Sequence, residues 1–166
     1  MRKLFYILAT TSIFFSCKKE NTKAGENVEI YLLKTFKTIT GKCQVDPSTA
    51  VLQNSPTVNN GDIVEYSPTA YTFKLSDNAI EKIKNLKDFA AFAVTVDKRV
   101  IYYGFFKPAY SSSSCDHSIT MDVAWVANDK ILMSLGYPAP MQGITIDDER
   151  NNPLLIATLQ AQGKLK

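Results

Sequence analysis

Residues 91–106, with the sequence AFAVTVDKRVIYYGFF, decide the fold of this chain. The runs 91–96 and 100–106 are rich in β-branched and aromatic residues, and three polar residues separate them. Two such runs around a short polar turn are typical of a β-hairpin. The segment therefore predicts two antiparallel strands joined by a turn at residues 97–99.

Alternating apolar residues predict further strands on both sides of this hairpin. Residues 41–62 are instead rich in Asn, Ser, Thr, Pro and Gly, and they predict a long loop. The expected strands cover residues 28–33, 63–66, 71–75, 118–127 and 131–135.

Two segments have the end signals and the apolar spacing of helices. Ser76 or Asp77 is positioned to cap the first helix, whose apolar residues follow helical spacing to about residue 87. The second helix is expected after Asn152, a capping residue followed by a proline, and is expected to end at Gly163.

The order of these elements predicts one α+β domain over residues 28–166. We expect a mainly antiparallel sheet with two helices packed on one of its faces. The length of this segment suits a single domain.

The first residues have the features of a secretion signal. Arg2 and Lys3 are followed by a mainly apolar run over residues 4–15 and by the small residue Ser16. This order predicts a signal peptide over residues 1–16. The apolar run is shorter than the roughly 20 residues that a permanent membrane-spanning helix needs.

Residues 14–17, FFSC, resemble the lipobox of bacterial lipoproteins, with Phe14 at the position where that family prefers leucine. The resemblance implies that the thiol of Cys17 is diacylated, that the chain is cut before this residue and that the new amine is acylated. The charged residues 18–20 are similar to those of many lipoproteins of Gram-negative bacteria. We therefore expect residues 17–27 to be a lipidated tether and the protein to lie in the cell envelope, with the outer membrane favoured. A plain signal peptide with an incidental cysteine is the alternative.

The remaining cysteines fit this location. Once Cys17 is lipidated, Cys43 and Cys115 are left in an oxidising compartment, and we expect them to form a disulfide. Two free buried thiols or a metal-binding pair are the alternatives. Because a structural zinc site takes four ligands and His117 is the only histidine of the chain, we expect no metal and no cofactor.

The charge of the chain gives no sign of a nucleic-acid partner. The sequence has 19 basic and 16 acidic residues, a formal net charge of +3. Without Arg2 and Lys3 of the signal segment, 17 basic residues remain and the net charge is +1. A nucleic-acid interface needs clustered basic residues, so we expect no such partner.

Several apolar patterns are similar to the first periplasmic domain of SecD, a translocase-associated membrane protein. They are GDIVE at 61–65, the strand around FKL at 73–75, the hairpin that begins with FAVTVD at 92–97, and the closing helix at 155–165. The resemblance implies a lipid-tethered copy of a non-catalytic periplasmic fold, and in the family that domain is thought to meet exported polypeptide. The chain departs from the family at 97–99, where an Asp-Gly turn is usual. In the family the closing helix leads into membrane spans, whereas this sequence stops there.

Residues 111–117, SSSSCDH, bring nucleophile, acid and base types together. A catalytic triad requires a base within about 2.6–3.2 Å of the nucleophile, which neighbours in sequence seldom achieve. The chain also has no Gly-x-Ser-x-Gly elbow. We expect a serine-rich loop fixed by the disulfide and no catalytic residue, with a Ser-dependent hydrolase as the alternative.

Residues 147–150, DDER, are a candidate cation site because calcium binds clustered carboxylates. The spacing of an EF-hand loop is absent, however, and Arg150 supplies a counter-charge within the same segment. We expect a solvated loop before the last helix, with a cation site as the alternative.

Residues 101–106, IYYGFF, place aromatic side chains on both faces of a strand. Either the strand is covered on both sides, or one face is exposed for a partner. In the second case the candidate binding face consists of Tyr102, Phe106 and Tyr110. Gly104 marks a bulge or a close approach of another backbone.

Three hypotheses about function follow from these expectations. The first is a non-enzymatic, lipid-anchored envelope lipoprotein that binds a peptide or protein through a sheet face or edge. Its partners would be the membrane, through the lipid on Cys17, and an exported peptide or envelope protein. The second is the hydrolase that uses residues 111–117, and the third is a purely structural envelope accessory.

Overall fold

The computed structural model describes residues 26–123 and 129–166, which form an α+β fold around an eight-stranded sheet. The fold class predicted from the sequence is therefore confirmed. Two helices of the described chain accompany the sheet, α1 (Asp77–Lys84) and α2 (Pro153–Ala161). The strands are β1 (Val28–Thr35), β2 (Val51–Leu52), β3 (Ile63–Ser67), β4 (Thr72–Leu75), β5 (Ala91–Val96), β6 (Arg99–Phe106), β7 (Cys115–Val123) and β8 (Lys130–Tyr137).

Most element boundaries match the predictions, and the differences have local causes. The helix α1 ends at Lys84 rather than near residue 87, because Asn85 caps it: the side-chain amide of Asn85 donates to the carbonyl of Glu81 at 2.8 Å. The predicted loop contains the short strand β2. The strand β7 begins earlier than expected, and residues 124–127 of the predicted strand lie outside the described residues.

The strands β6 and β7 are parallel, while the other pairs in the described sheet are antiparallel. The strand order is β2-β1-β5-β6-β7-β8-β4-β3. The parallel pairing covers only residues 104–106 of β6 and 119–121 of β7. The chain returns from the end of β6 to the start of β7 through residues 107–114, whereas a parallel connection usually takes a dozen or more residues.

Both helices pack on the same face of the sheet, as predicted, and bury the main hydrophobic core beneath them. Ser76 caps α1, and Asn152 caps α2 by accepting a hydrogen bond from the backbone N–H of Leu154 at 2.9 Å. Removal of this apolar surface from water is the main force that holds the helices to the sheet. The core includes Ala79, Ile83, Leu155 and Leu159 of the helices and Tyr66, Phe73, Phe92, Phe106, Met121 and Ile131 of the sheet.

The opposite face of the sheet has a smaller core under the segment that follows β1. Phe36 from this segment packs edge-on against Phe105, with ring centroids 5.8 Å apart. A disulfide joins Cys43 to Cys115 at the start of β7, with Cα atoms 5.1 Å apart, so the predicted pairing is confirmed. The segment between β1 and β3 is therefore fixed to the centre of the sheet.

Both outer edges of the sheet are covered. At the β3 edge, the N–H of Tyr66 donates to the carbonyl of Lys164 at 2.7 Å, and the N–H of Lys166 donates back at 3.0 Å. At the β1 edge, Ile30 and Val58 exchange hydrogen bonds of 3.0 and 3.1 Å, next to the short strand β2. Covered edges resist uncontrolled pairing with another chain.

Candidate functional site

The strands β6 and β7 separate below their short parallel pairing and leave two inner strand edges unpaired. Over residues 100–103, β6 pairs with β5 on one side except at Ile101, where the register shifts, and no other described strand pairs with its second side. Over residues 115–118, β7 pairs with β8 at Cys115, where the register then shifts, and with no other described strand. Alternate residues of such an edge direct their N–H and C=O groups away from the sheet. The sheet therefore has open hydrogen-bonding edges near its middle.

A cleft of about 170 Å³ lies where these two strands separate, and we call it the β6–β7 cleft. Its floor comes from the strands, and its walls come from the loop around Gln44 and the loop before α2. An adjoining depression of about 300 Å³ shares Ile101 and Glu149 with the cleft and reaches the start of α2. The strand residues that line the cleft are Ile101, Tyr102, Tyr103, His117, Ser118 and Ile119.

Buried hydrogen bonds hold the connection between β6 and β7 in place. Lys107 is fully buried, and its ammonium donates to Oδ1 of Asp88 at 2.9 Å, to Oγ of Ser111 at 2.6 Å and to Oγ of Ser113 at 2.9 Å. Ser111 in turn donates to Oδ2 of Asp88 at 2.7 Å. The ring of Phe89 lies 3.8 Å from the same ammonium. We call this set the Lys107 cluster.

The Lys107 cluster is arranged to stabilise a charge. Its three hydrogen bonds use the three N–H groups of the ammonium, so Lys107 has no lone pair with which to activate a serine. Burial raises the pKa of Asp88, but hydrogen bonds from Lys107 and Ser111 outweigh it and hold this pKa below its ordinary value. The geometry is that of an ion pair between a buried ammonium and a carboxylate whose side chain is 33 % exposed.

His117 lies in the cleft, apart from the serines of the predicted loop. Its Nδ1 is 2.6 Å from Oδ1 of Asp116, and this hydrogen bond lowers the pKa of Asp116. Within the described chain, no serine hydroxyl lies within hydrogen-bonding distance of His117. The hydrolase alternative of residues 111–117 thus has an acid–base pair without an adjacent nucleophile.

Of the three acids in the loop before α2, Asp148 forms an ion pair with Arg150. Arg150 is buried, and it binds both oxygens of Asp148 at 2.7 Å, donates to the carbonyl of Met133 at 3.0 Å and stacks 3.6 Å above the ring of Tyr71. This hydrogen bonding lowers the pKa of Asp148.

The neighbouring acids face the cleft. Asp147 is exposed and forms no ion pair with another described residue, and Glu149 is half-buried and accepts from the side chain of Asn152 at 2.6 Å. Among the described residues, no group of three or more metal-ligating side chains occurs.

The structure does not bring the three residues of the candidate binding face, Tyr102, Phe106 and Tyr110, together at the surface. Tyr102 is 6 % exposed and Phe106 is 2 % exposed, because the helices cover that side of β6, and only Tyr110, at 80 %, reaches solvent. Tyr102 packs edge-on against Phe92 with centroids 6.4 Å apart. These aromatic residues belong to a strand that is covered on both faces. The close approach predicted at Gly104 is confirmed: a Cβ there would lie 2.5 Å from the carbonyl oxygen of Ile119.

A larger depression, of about 430 Å³, lies elsewhere, beside Lys107, Asp122 and Tyr137. Burial raises the pKa of Asp122, whose carboxylate accepts from the N–H of Val123 at 2.7 Å. Of the β7 residues that line this depression, Thr120 is paired with both β6 and β8, whereas Asp122 and Val123 are paired with β8.

The β6–β7 cleft was missed by sequence reasoning. It arises from a parallel pair in a sheet that was expected to be mainly antiparallel, and no residue pattern announces that pairing. The short connection after β6 would even favour an antiparallel pair, because a parallel connection usually takes a dozen or more residues.

Comparisons with protein-family models, with curated proteins and with solved structures find no match for this chain. None of the helices in the described part of the chain is long and apolar enough to cross a membrane. Cys17 and the predicted signal peptide lie outside the described residues.

Proposed function

We propose that this protein is a non-enzymatic, lipid-anchored envelope protein that binds an extended segment of an exported or envelope protein in the β6–β7 cleft. The observation that carries the proposal is the pair of unpaired strand edges inside a concave site. An extended peptide that adds to such an edge gains main-chain hydrogen bonds, and side-chain pockets supply specificity.

The position of the free edges favours this site over the rest of the sheet. The two outer edges are hydrogen-bonded to other segments of the chain, so a further strand meets fewer free groups there. Inside the cleft, the outward N–H and C=O groups of residues 100–103 lack a partner strand. Water solvates these groups in the free protein, and a peptide backbone replaces that water when it binds.

The walls of the cleft are held in place before any ligand arrives. The disulfide fixes the loop next to Gln44, and Arg150 fixes the loop that contains Glu149. The Lys107 cluster fixes the connection that leads into β7. A preorganised site loses less conformational entropy on binding, which favours affinity for a short segment.

The lipid on Cys17 is the second part of the proposal. Several acyl chains form a durable anchor, at about 0.8 kcal/mol per buried methylene group. Residues 17–27 then link the membrane to the folded domain, which faces the periplasm or the cell surface. The similarity to a periplasmic domain that meets exported polypeptide agrees with a ligand that is an extended chain.

A variant that fills the cleft tests the proposal. Thr145 is exposed and lines the cleft, so Thr145→Trp places a large side chain at its rim. We expect this variant to lose at least about tenfold in affinity for decapeptide mixtures, measured by fluorescence polarisation with the full chain in detergent.

Thr69→Trp is the matched control, because Thr69 is an exposed residue outside the cleft lining. It should bind like the unmodified chain. Equal binding by both variants would show that peptides bind elsewhere. A complete absence of binding by the unmodified chain would reject peptide binding altogether.

A further inference from the structure

We infer that the segment bound in the β6–β7 cleft carries a lysine or arginine side chain, which the carboxylates of Asp147 and Glu149 hold. This inference rests on the proposed function and names its ligand class. The charged side chains that line the cleft support it.

The described lining of the cleft contains two carboxylates and no lysine or arginine. His117 is the remaining titratable side chain with a basic group, and it is hydrogen-bonded to Asp116. Arg99 lines the adjoining depression but not the cleft itself. The formal charge of the described cleft lining is therefore negative, and like-charge repulsion disfavours an acidic peptide there.

The ion pair between Asp148 and Arg150 leaves the other two acids of this wall available to a ligand. Arg150 neutralises Asp148 through two hydrogen bonds, and its contacts with the carbonyl of Met133 and the ring of Tyr71 fix the loop against the sheet. The loop thus uses its own cation on one acid and leaves Asp147 and Glu149 available at the cleft.

Glu149 is already oriented for a cation. One of its oxygens accepts from the side-chain amide of Asn152 at 2.6 Å, which restricts the rotation of the carboxylate. Its second oxygen makes no hydrogen bond with another described side chain. Because Glu149 is half-buried, an ion pair formed there is screened less than one on an open surface. Asp147 is exposed and adds a second charge at the rim.

Positional-scanning decapeptide mixtures test this inference. One position is fixed in turn as Lys, Arg, norleucine, Asp or Glu, the other positions are randomised, and binding to the full chain is measured by fluorescence polarisation. We expect mixtures with a fixed Lys or Arg to bind roughly fivefold more tightly than those with norleucine, as for a partly exposed ion pair. Mixtures with a fixed Asp or Glu should bind most weakly, and added salt should reduce the differences.

The double variant Asp147→Asn with Glu149→Gln should bind the norleucine mixtures normally and lose the preference for Lys and Arg. Asp77→Asn, at an exposed acid outside the cleft, is the control and should keep the preference. Thermal melting of each variant checks that the fold is retained.

The possible outcomes distinguish a failure of the proposed function from a failure of the inference about a basic ligand. If no mixture binds the unmodified chain, the proposed function fails and this inference fails with it. If mixtures bind with no preference for a basic residue, or if the double variant keeps the preference, this inference alone is overturned.

Discussion

At the scale of single residues, the most informative side chain is Lys107. A buried ammonium is costly unless its protons find acceptors, and here a carboxylate and two hydroxyls accept all three. The aromatic ring of Phe89 completes the enclosure. The serine-rich segment thus has a definite structural role, because its hydroxyls accept the two ammonium protons that Asp88 does not.

Removal of one of these hydroxyls should destabilise the protein. Ser111→Ala leaves Lys107 with two acceptors and removes a donor to Asp88, so we expect a loss of about 1–3 kcal/mol in the free energy of unfolding. Ser112→Ala is the control, because Ser112 is exposed and outside the cluster, and it should change stability by less than about 0.5 kcal/mol. Urea denaturation measures both. Equal stability of the two variants would contradict the role assigned to Ser111.

The same cluster predicts a pH dependence. The folded-state pKa of Asp88 lies below its unfolded value, so the ionised group stabilises the fold above the ordinary carboxyl range. This contribution is lost as the pH falls below about 4 and then through the lower pKa that Asp88 has in the folded protein. In urea titrations from neutral to acidic pH, Asp88→Asn should show a shallower fall in stability than the unmodified chain. Identical slopes would rule out this contribution.

At the scale of elements, the hairpin of β5 and β6 was predictable because two β-rich runs flank a polar turn. Its turn residues Asp97 and Lys98 have φ angles of +48° and +65°, which glycine or asparagine would adopt more readily. The N–H of Asn27 donates to the side chain of Asp97 at 2.7 Å and supports this turn. The caps at Ser76 and Asn152 were predictable for a similar local reason.

The parallel pairing of β6 with β7 was not predictable, because a connection of only eight residues usually joins antiparallel strands. The aromatic side chains of β6 gave no guide to exposure, since a strand covered on both faces has the same pattern as one with a binding face. Only the position of the helices over Tyr102 and Phe106 decides that these residues are core. For the same reason, the candidate site could not be predicted from the sequence, because it depends on where the loops beside the cleft lie in the fold.

The disulfide links the loop that contains Cys43 to the start of β7. The double variant Cys43→Ala with Cys115→Ala should lose roughly 4 kcal/mol of stability, since the crosslink closes a long loop of the unfolded chain. Reduction of the unmodified protein should give a similar loss in urea denaturation. A change below about 1 kcal/mol in both cases would mean that the crosslink contributes little.

At the scale of the whole molecule, the proposed membrane anchor is joined to a folded domain with two unpaired inner strand edges. Placement of the free strand edge inside a cleft limits pairing with other copies, because a partner must enter as a single extended segment. A lipid tether would keep this cleft close to the membrane surface.

The anchor has its own test. Cys17→Ser should leave an unacylated chain that no longer partitions into the detergent phase, since the lipid is the expected source of membrane affinity. Cys43→Ala with Cys115→Ala should still partition, because these residues form the disulfide. Unchanged partitioning of Cys17→Ser would contradict lipidation at this residue.

The most direct test of the central claim is hydrogen–deuterium exchange of the full chain with and without a saturating decapeptide mixture. The account predicts slower exchange at the amides of residues 100–103 in β6, with a smaller effect at 115–118 and none at the covered edge strand β3. Peptide binding that leaves β6 unchanged, or that protects β3 instead, would contradict the account.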